Sequence, residues 1–207
     1  MQQAWEFFRA GGWAMWPLLV LSLAGTATVA YCLLALRRTA IAPPALARVA
    51  DLLSRPEDIP AALRHCREDG GPFAGVLRTV LENRHRPRAE AEALAEAAGR
   101  RAVHALSVAP LVLEAVAAVG PLLGLLGTVS GMYRMMISIA REGSNDLGTI
   151  SGSIGEALIT TLAGLVIGIP AYLTAQWAHR RVEALALGME ERAAAVAARL
   201  RDGAGGP

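Results

Sequence analysis

Thr128 stands six residues before Arg134, and Thr161 stands five residues after Glu156, each inside an otherwise apolar run. If the two runs are antiparallel helices and those charges mark one boundary, the hydroxyls lie about 9 and about 7.5 Å below it. Two hydroxyls at one level can form a polar collar able to receive a cation. A lone threonine in a membrane helix instead bonds a carbonyl of its own helix. Glu114 lies fourteen residues from Thr128, about 21 Å toward the opposite boundary, and Glu156 is equally an edge residue. Neither run therefore carries a carboxylate at its centre, where a charge would cost about 2.5–3.5 kcal/mol. An ion crossing here needs a titratable group supplied by a partner.

Other chemistries find no residues. His65, His85 and His104 show no paired ligand spacing, and Cys66 beside His65 adds little, so no metal and no cofactor is expected. GLLGTVSG lacks the lysine of a phosphate loop. No nucleophile and base stand together, so no catalytic residue is assigned and an enzyme is not expected. The twenty basic residues are all arginine against 18 acidic ones, a net of +2, and so balanced a chain has no global attraction to nucleic acid. Cys32 falls in an apolar block and Cys66 in a charged segment, so no disulfide framework is expected.

Small residues form stripes around the threonines. Gly120, Gly124, Gly127 and Gly131 fall at spacings of four, three and four, within about 60° of one another on a helix. Ala157, Thr161, Gly164, Gly168, Ala171 and Ala175 do the same in the next run. Such faces let membrane helices approach closely. Repeated around a ring, they would pack copies tightly about a central space, with Gly120, Gly124, Gly127, Gly131, Gly164 and Gly168 as its smooth wall.

The elements that must position these residues are membrane spans. Of the 207 residues 54% are hydrophobic and 18% charged, against a usual charged share of about 25%. The apolar residues gather in three blocks, which makes a soluble enzyme a poor fit. Trp13–Leu36, Ala115–Tyr133 and Ala157–His179 hold no Asp, Glu, Lys or Arg over 24, 19 and 23 residues, and about 20 suffice to cross a bilayer. The first exceeds the apolar core of about 7–15 residues of a signal peptide and runs into Arg37-Arg38, so it reads as a retained span. Pro121 and Pro170 are tolerated as kinks where neighbouring helices re-satisfy the freed carbonyl.

Arginine sets the orientation. Segment 37–104 holds twelve arginines and 180–207 five, while 134–153 holds only Arg134 and Arg141. The excess of positive charge places the first two in the cytoplasm and the amino terminus outside. The expected division is a periplasmic segment 1–12, a first transmembrane helix 13–36 and a cytoplasmic helical domain 37–104. A second transmembrane helix 105–136 follows (apolar span 115–133), then a periplasmic loop 137–156. A third transmembrane helix 157–179 and a cytoplasmic helix and tail 180–207 complete it. Trp13, Trp16, Tyr133 and Trp177 lie at block ends, as an interfacial belt requires.

Within 37–104, Ala45–Ser54 and Ile59–Glu68 are short helix candidates between prolines and glycines, and 73, 76, 77, 80 and 81 give 73–85 an amphipathic face. From Arg88 the alanine- and glutamate-rich sequence has no strand signal and runs unbroken into the second span. The third span likewise continues to about Arg201. Long helices with apolar stripes need partners, which points to self-association. The fold class is an all-α integral membrane protein with three transmembrane helices, long cytoplasmic helical extensions and a homo-oligomeric ring.

VGPLLGLLGTVSGM (119–132) resembles the second-span motif of the ExbB/TolQ/MotA proton-channel family. SIGEALITTLAGLVIGIPA (153–171) resembles its third-span motif, and GGWAMWPLLVLS (11–22) the start of its first span. The layout matches along essentially the whole chain and is more like ExbB and TolQ than four-span MotA. The resemblance implies a pentamer in the bacterial inner membrane whose second and third spans line a pore. That pore would hold two helices of an ExbD/TolR-like single-span partner, each with an aspartate, and drive a TonB-like, TolA-like or gliding-type effector.

By position, Thr128 and Thr161 match the polar pore residues, Glu156 the glutamate at the pore's outer end, and Pro121 and Pro170 the motif prolines. The chain departs from the pattern in three places. YCLLALRR lacks a glutamate before its arginines, Gly120 replaces the frequent alanine, and Thr160 adds a hydroxyl beside Thr161 that leaves proton and sodium both open. The function expected is a channel subunit of a proton-motive-force-driven motor. The other reading is an oligomeric membrane scaffold that conducts nothing.

Overall fold

The computed structural model describes residues 2–36, 46, 56–142 and 147–204, all but a few of them helical, with no strand among them. The helices are α1 (Gln2–Ala10), α2 (Met15–Ala35), α3 (Ile59–Asp69), α4 (Pro72–Glu82), α5 (Arg88–Glu142) and α6 (Leu147–Ala204). Parts of α2, α5 and α6 are long and apolar enough to cross a membrane. The candidate helix Ala45–Ser54 lies outside the described residues except for Leu46.

The reading of 137–156 as a loop is corrected. Residues 137–142 continue α5 and 147–156 open α6, leaving only 143–146 undescribed. No proline lies in 137–156, and the glycine cost of about 1 kcal/mol each is small beside helices this long, so helix persists up to 142 and from 147 onward. α5 runs through Pro110 and Pro121, and α6 through Pro170.

The chain divides into two compact units. The first comprises residues 1–30 and 110–176. Between α1 and α2 the chain turns at Gly12, whose φ of +65° favours glycine. Phe8 packs edge-on against Trp16 at 5.3 Å. Gly25 of α2 faces Val116 of α5, where an added Cβ would meet Val116 Cγ1 at 3.1 Å.

Along the α5–α6 seam, leucines face outward and glycines inward. Leu122, Leu125 and Leu126 of α5 and Leu158, Leu162 and Val166 of α6 are exposed, while Gly120, Gly124, Gly127, Gly131, Gly164 and Gly168 are buried. Lipid tails are as apolar as leucine, so association depends on close packing, which small residues permit. A Cβ on Gly164 would stand 2.5 Å from the Gly120 carbonyl oxygen and 3.1 Å from Gly124 Cα. One on Gly124 would stand 3.0 Å from both the Thr160 oxygen and Thr161 Cα. The glycines therefore close the seam between α5 and α6 of one chain. That corrects their assignment to a lumen wall, because the face is already covered.

The second unit comprises residues 31–109 and 177–207. It buries large side chains, as a water-soluble core does. Pro60 lies in the first turn of α3, and α3 ends on Gly70 at φ +60°, whose N–H donates to the Cys66 carbonyl at 3.4 Å. α4 then buries Phe73, Val76, Leu77, Val80 and Leu81, the five positions of the amphipathic pattern. Val182, Leu185, Met189 and Val196 of α6 are also buried. Arg181 Nε donates to the Leu36 carbonyl at 3.2 Å and so satisfies a group near the end of α2.

Burial raises the Cys66 thiol from 9.0 to about 11, helped by Asp69 and Glu82 and opposed by Arg78. A thiol with a raised folded pKa favours the fold below the unfolded value and loses that contribution as pH climbs from about 9 to about 11. At pH 8 the native thiol should be alkylated about 100-fold more slowly than in urea, as mass spectrometry would measure. The seam has its own test. Gly164→Ala should cost about 1–3 kcal/mol and lower the melting temperature in detergent, because backbone must move. Gly152→Ala, with nothing within 4 Å of the new Cβ, should be neutral or stabilising by up to about 1 kcal/mol.

Candidate functional site: a threonine pair between two helices

The seam brings the two threonine hydroxyls together. Thr128 Oγ1 and Thr161 Oγ1 are hydrogen-bonded to each other across α5 and α6. Thr128 Oγ1 also lies 3.2 Å from the carbonyls of Gly124 and Ala157, and Thr161 Oγ1 3.2 Å from that of Gly124. Each hydroxyl has one hydrogen and two lone pairs. With both hydrogens engaged among these carbonyls and each other, the pair offers its surroundings acceptor lone pairs. That chemistry suits a cation or the O–H of a protonated acid. Both residues are partly exposed, and their neighbours one turn away, Leu125, Met132, Leu158 and Leu165, are exposed and apolar.

Thr160 does not join the pair, which corrects its expected place in the ion path. It is 1% exposed and its hydroxyl donates to the Ala157 carbonyl of its own helix at 2.8 Å. Its side chain fills the notch left by Gly127, where an added Cβ would overlap it. The buried line along α6 is accordingly Ala157, Thr160, Gly164, Gly168, Ala171 and Ala175, with Thr161 beside it. A stripe read at spacings of three or four fits either threonine. Only the partner helix decides which one turns inward.

Pro121 has no N–H, so the Ala117 carbonyl one turn back lacks its helical donor. That carbonyl and the proline ring both face Gly168, whose added Cβ would stand 2.9 Å from Pro121 Cδ and 3.2 Å from the Ala117 oxygen. Pro121 is thus seated on a glycine, and α5 continues through it. Pro170 is exposed, and its carbonyl accepts the Thr174 hydroxyl at 2.8 Å. Glu114, Ala117, Pro121, Gly168 and Tyr172 border one shallow groove.

Glu156 lies at the other end of the seam and accepts a hydrogen bond from Arg134 Nη2. Beside it are residues that the sequence did not connect with Glu156. Gly12 lies against the Glu156 carboxylate, and Trp13 Nε1 donates to Ser130 Oγ at 3.1 Å. The Gly11-Gly12 pair ahead of an apolar run was the available signal, since adjacent glycines mark tight turns and close approaches. Among the described residues, no three or more His, Cys, Asp or Glu side chains gather as metal ligands.

Comparison with known proteins identifies relatives of this chain. The biopolymer transport protein ExbB of Neisseria gonorrhoeae is 40% identical over 73 residues, 35% of this chain and 33% of that protein. That of Xanthomonas campestris pv. campestris is 48% identical over 59 residues, 28% of this chain and 23% of that protein. The biopolymer transport protein ExbB-like 1 of Synechocystis sp. is 33% identical over 175 residues, 80% of this chain and 66% of that protein. The chain therefore spans a third or less of the length of the first two relatives. Residues 70–191, which contain the glycine seam and both threonines, match the model of the MotA/TolQ/ExbB proton channel family. An apolar helix triplet, a seam this close and a match over more than half its length make the chain an ExbB-like bacterial membrane protein that belongs to the MotA/TolQ/ExbB proton channel family.

Proposed function

We propose that the chain is the ring-forming, ion-conducting subunit of an inner-membrane motor driven by proton-motive force. In this reading the amino terminus and the Glu156 end face the periplasm, and residues 37–104 and 180–207 the cytoplasm. A pentamer surrounds two helices of an ExbD/TolR-like single-span partner, and the partner drives a TonB- or TolA-like effector. The hydrogen-bonded Thr128–Thr161 pair carries the proposal. It supplies outward lone pairs at one level and, having no acid of its own, calls for a carboxyl group from elsewhere. One charge crossing 100 mV yields about 2.3 kcal/mol, so a few protons per cycle supply mechanical work.

The chemistry at the pair is an exchange of acceptors. A protonated partner carboxyl donates its O–H to a threonine oxygen, and an ionised one is repelled by the same lone pairs. The pair therefore favours the neutral form and helps it pass. The glycine seam alone also fits a scaffold that oligomerises and conducts nothing. Thr161→Val keeps the shape and removes one hydroxyl, so it tests the pair's part in conduction. Conduction predicts that dye-reported proton flux, in liposomes holding the chain with its copurified single-span partner, falls about tenfold, the worth of one hydrogen bond. The melting temperature should move little. Unchanged flux in the variant would remove the threonine pair from the conducting path, and a wild type with no flux would favour the scaffold.

A further inference from the structure

We propose that Glu156 works as a latch, clamping the start of α2 onto α5 and α6 through Arg134, and not as a carrier of ions. Three consecutive residues, 11 to 13, make the clamp's first jaw. A Cβ on Gly11 would stand 3.2 Å from Ile159 Cγ2 of α6, Gly12 lies against the Glu156 carboxylate, and Trp13 donates to Ser130 of α5 at 3.1 Å. Arg134, one turn beyond Ser130, holds the same carboxylate from the α5 side. One carboxylate thus touches all three segments.

The shape of the turn fits this use. At φ +65° Gly12 accepts a side chain only with strain, and any Cβ there would fall on the Glu156 carboxyl group. Chain and carboxylate are in close contact at the position where the chain bends into α2. Of the pair, Glu156 is the more covered, with 20% of its side chain exposed against 47% for Arg134. A guanidinium–carboxylate bond is strong and directional, which suits a strut. A carrier would have to break it at every passage. Glu156 lies five residues from Thr161, about 7.5 Å along α6. The latch therefore fixes the frame that holds the threonine pair without touching it.

The activity arm of the test rests on the conducting reading, and the thermal arm does not. The full chain, purified with its single-span partner, is compared as wild type, Glu156→Gln, Arg134→Gln, the double glutamine variant and the swap of Arg134→Glu with Glu156→Arg. A latch predicts that both single variants lower melting temperature and proton flux alike, the flux by about tenfold for a lost charge-assisted bond. The double variant should be no worse than either single one, and the swap should recover both readouts. Wild-type flux in Arg134→Gln with none in Glu156→Gln would overturn the latch. So would a swap that recovers melting temperature but not flux, since the carboxylate itself would then be the carrier. If the swap does not fold, the three glutamine variants decide. If the wild type conducts nothing, the conducting reading fails, and unequal melting temperatures of the two single variants would overturn the latch by themselves.

Discussion

The contact of two helix backbones in a place without water is what the rest of the first unit depends on. In water, burial of leucine would drive α5 and α6 together. Among lipid tails that force is missing, and dispersion between atoms in contact must replace it. Each atom pair contributes little, so the backbones must meet along a whole line. Gly120, Gly124, Gly127 and Gly131 supply that line on α5, and Gly164 and Gly168 answer it on α6. The threonine hydroxyls bond across the helices only because the seam brings Thr161 Cα so near Gly124. Chemistry at the site is a product of what the glycines omit.

α6 shows the two rules of burial within one sequence. From Ala157 to Ala175 its buried line is made of alanine, threonine and glycine. From Val182 to Val196 it is made mainly of valine, leucine and methionine. The period stays near three and four throughout. What changes is the solvent on the opposite face, lipid for the first stretch and water for the second in the proposed topology. Hydropathy alone reads the change as the end of a span. The buried line reads it as a change in the force that packs the helix.

Much of this was legible in the amino-acid order. Uncharged length gave three span candidates, the repeat of small residues gave both faces of the seam, and matched distances from Arg134 and Glu156 put the two threonines at one depth. A period marks a face, however, and carries no statement of what covers it. The glycine face was therefore read both as a close-packing surface and as a wall between copies, and it is filled by the chain's own α6. Thr161 meets Thr128 as their matched depths require, while the buried line takes Thr160: adjacent residues differ by about 100° on a helix, and a run of small residues at spacings of three and four admits either. The bond from Trp13 to Ser130 spans 117 positions, and no local pattern encodes so distant a meeting.

The exposed neighbours of the threonine pair have a consequence for the resting state. Leu125, Met132, Leu158 and Leu165 flank the hydroxyls by one turn on each helix. A narrow passage bounded by such side chains expels its water column, and dewetting of that kind is a recognised way to close a pore. Copies enclosing an axis with this surface would hold back the ion gradient unaided. In the proposed ring, leakage would be prevented by default, and the partner's carboxyl-bearing helix would bring wetting to the passage.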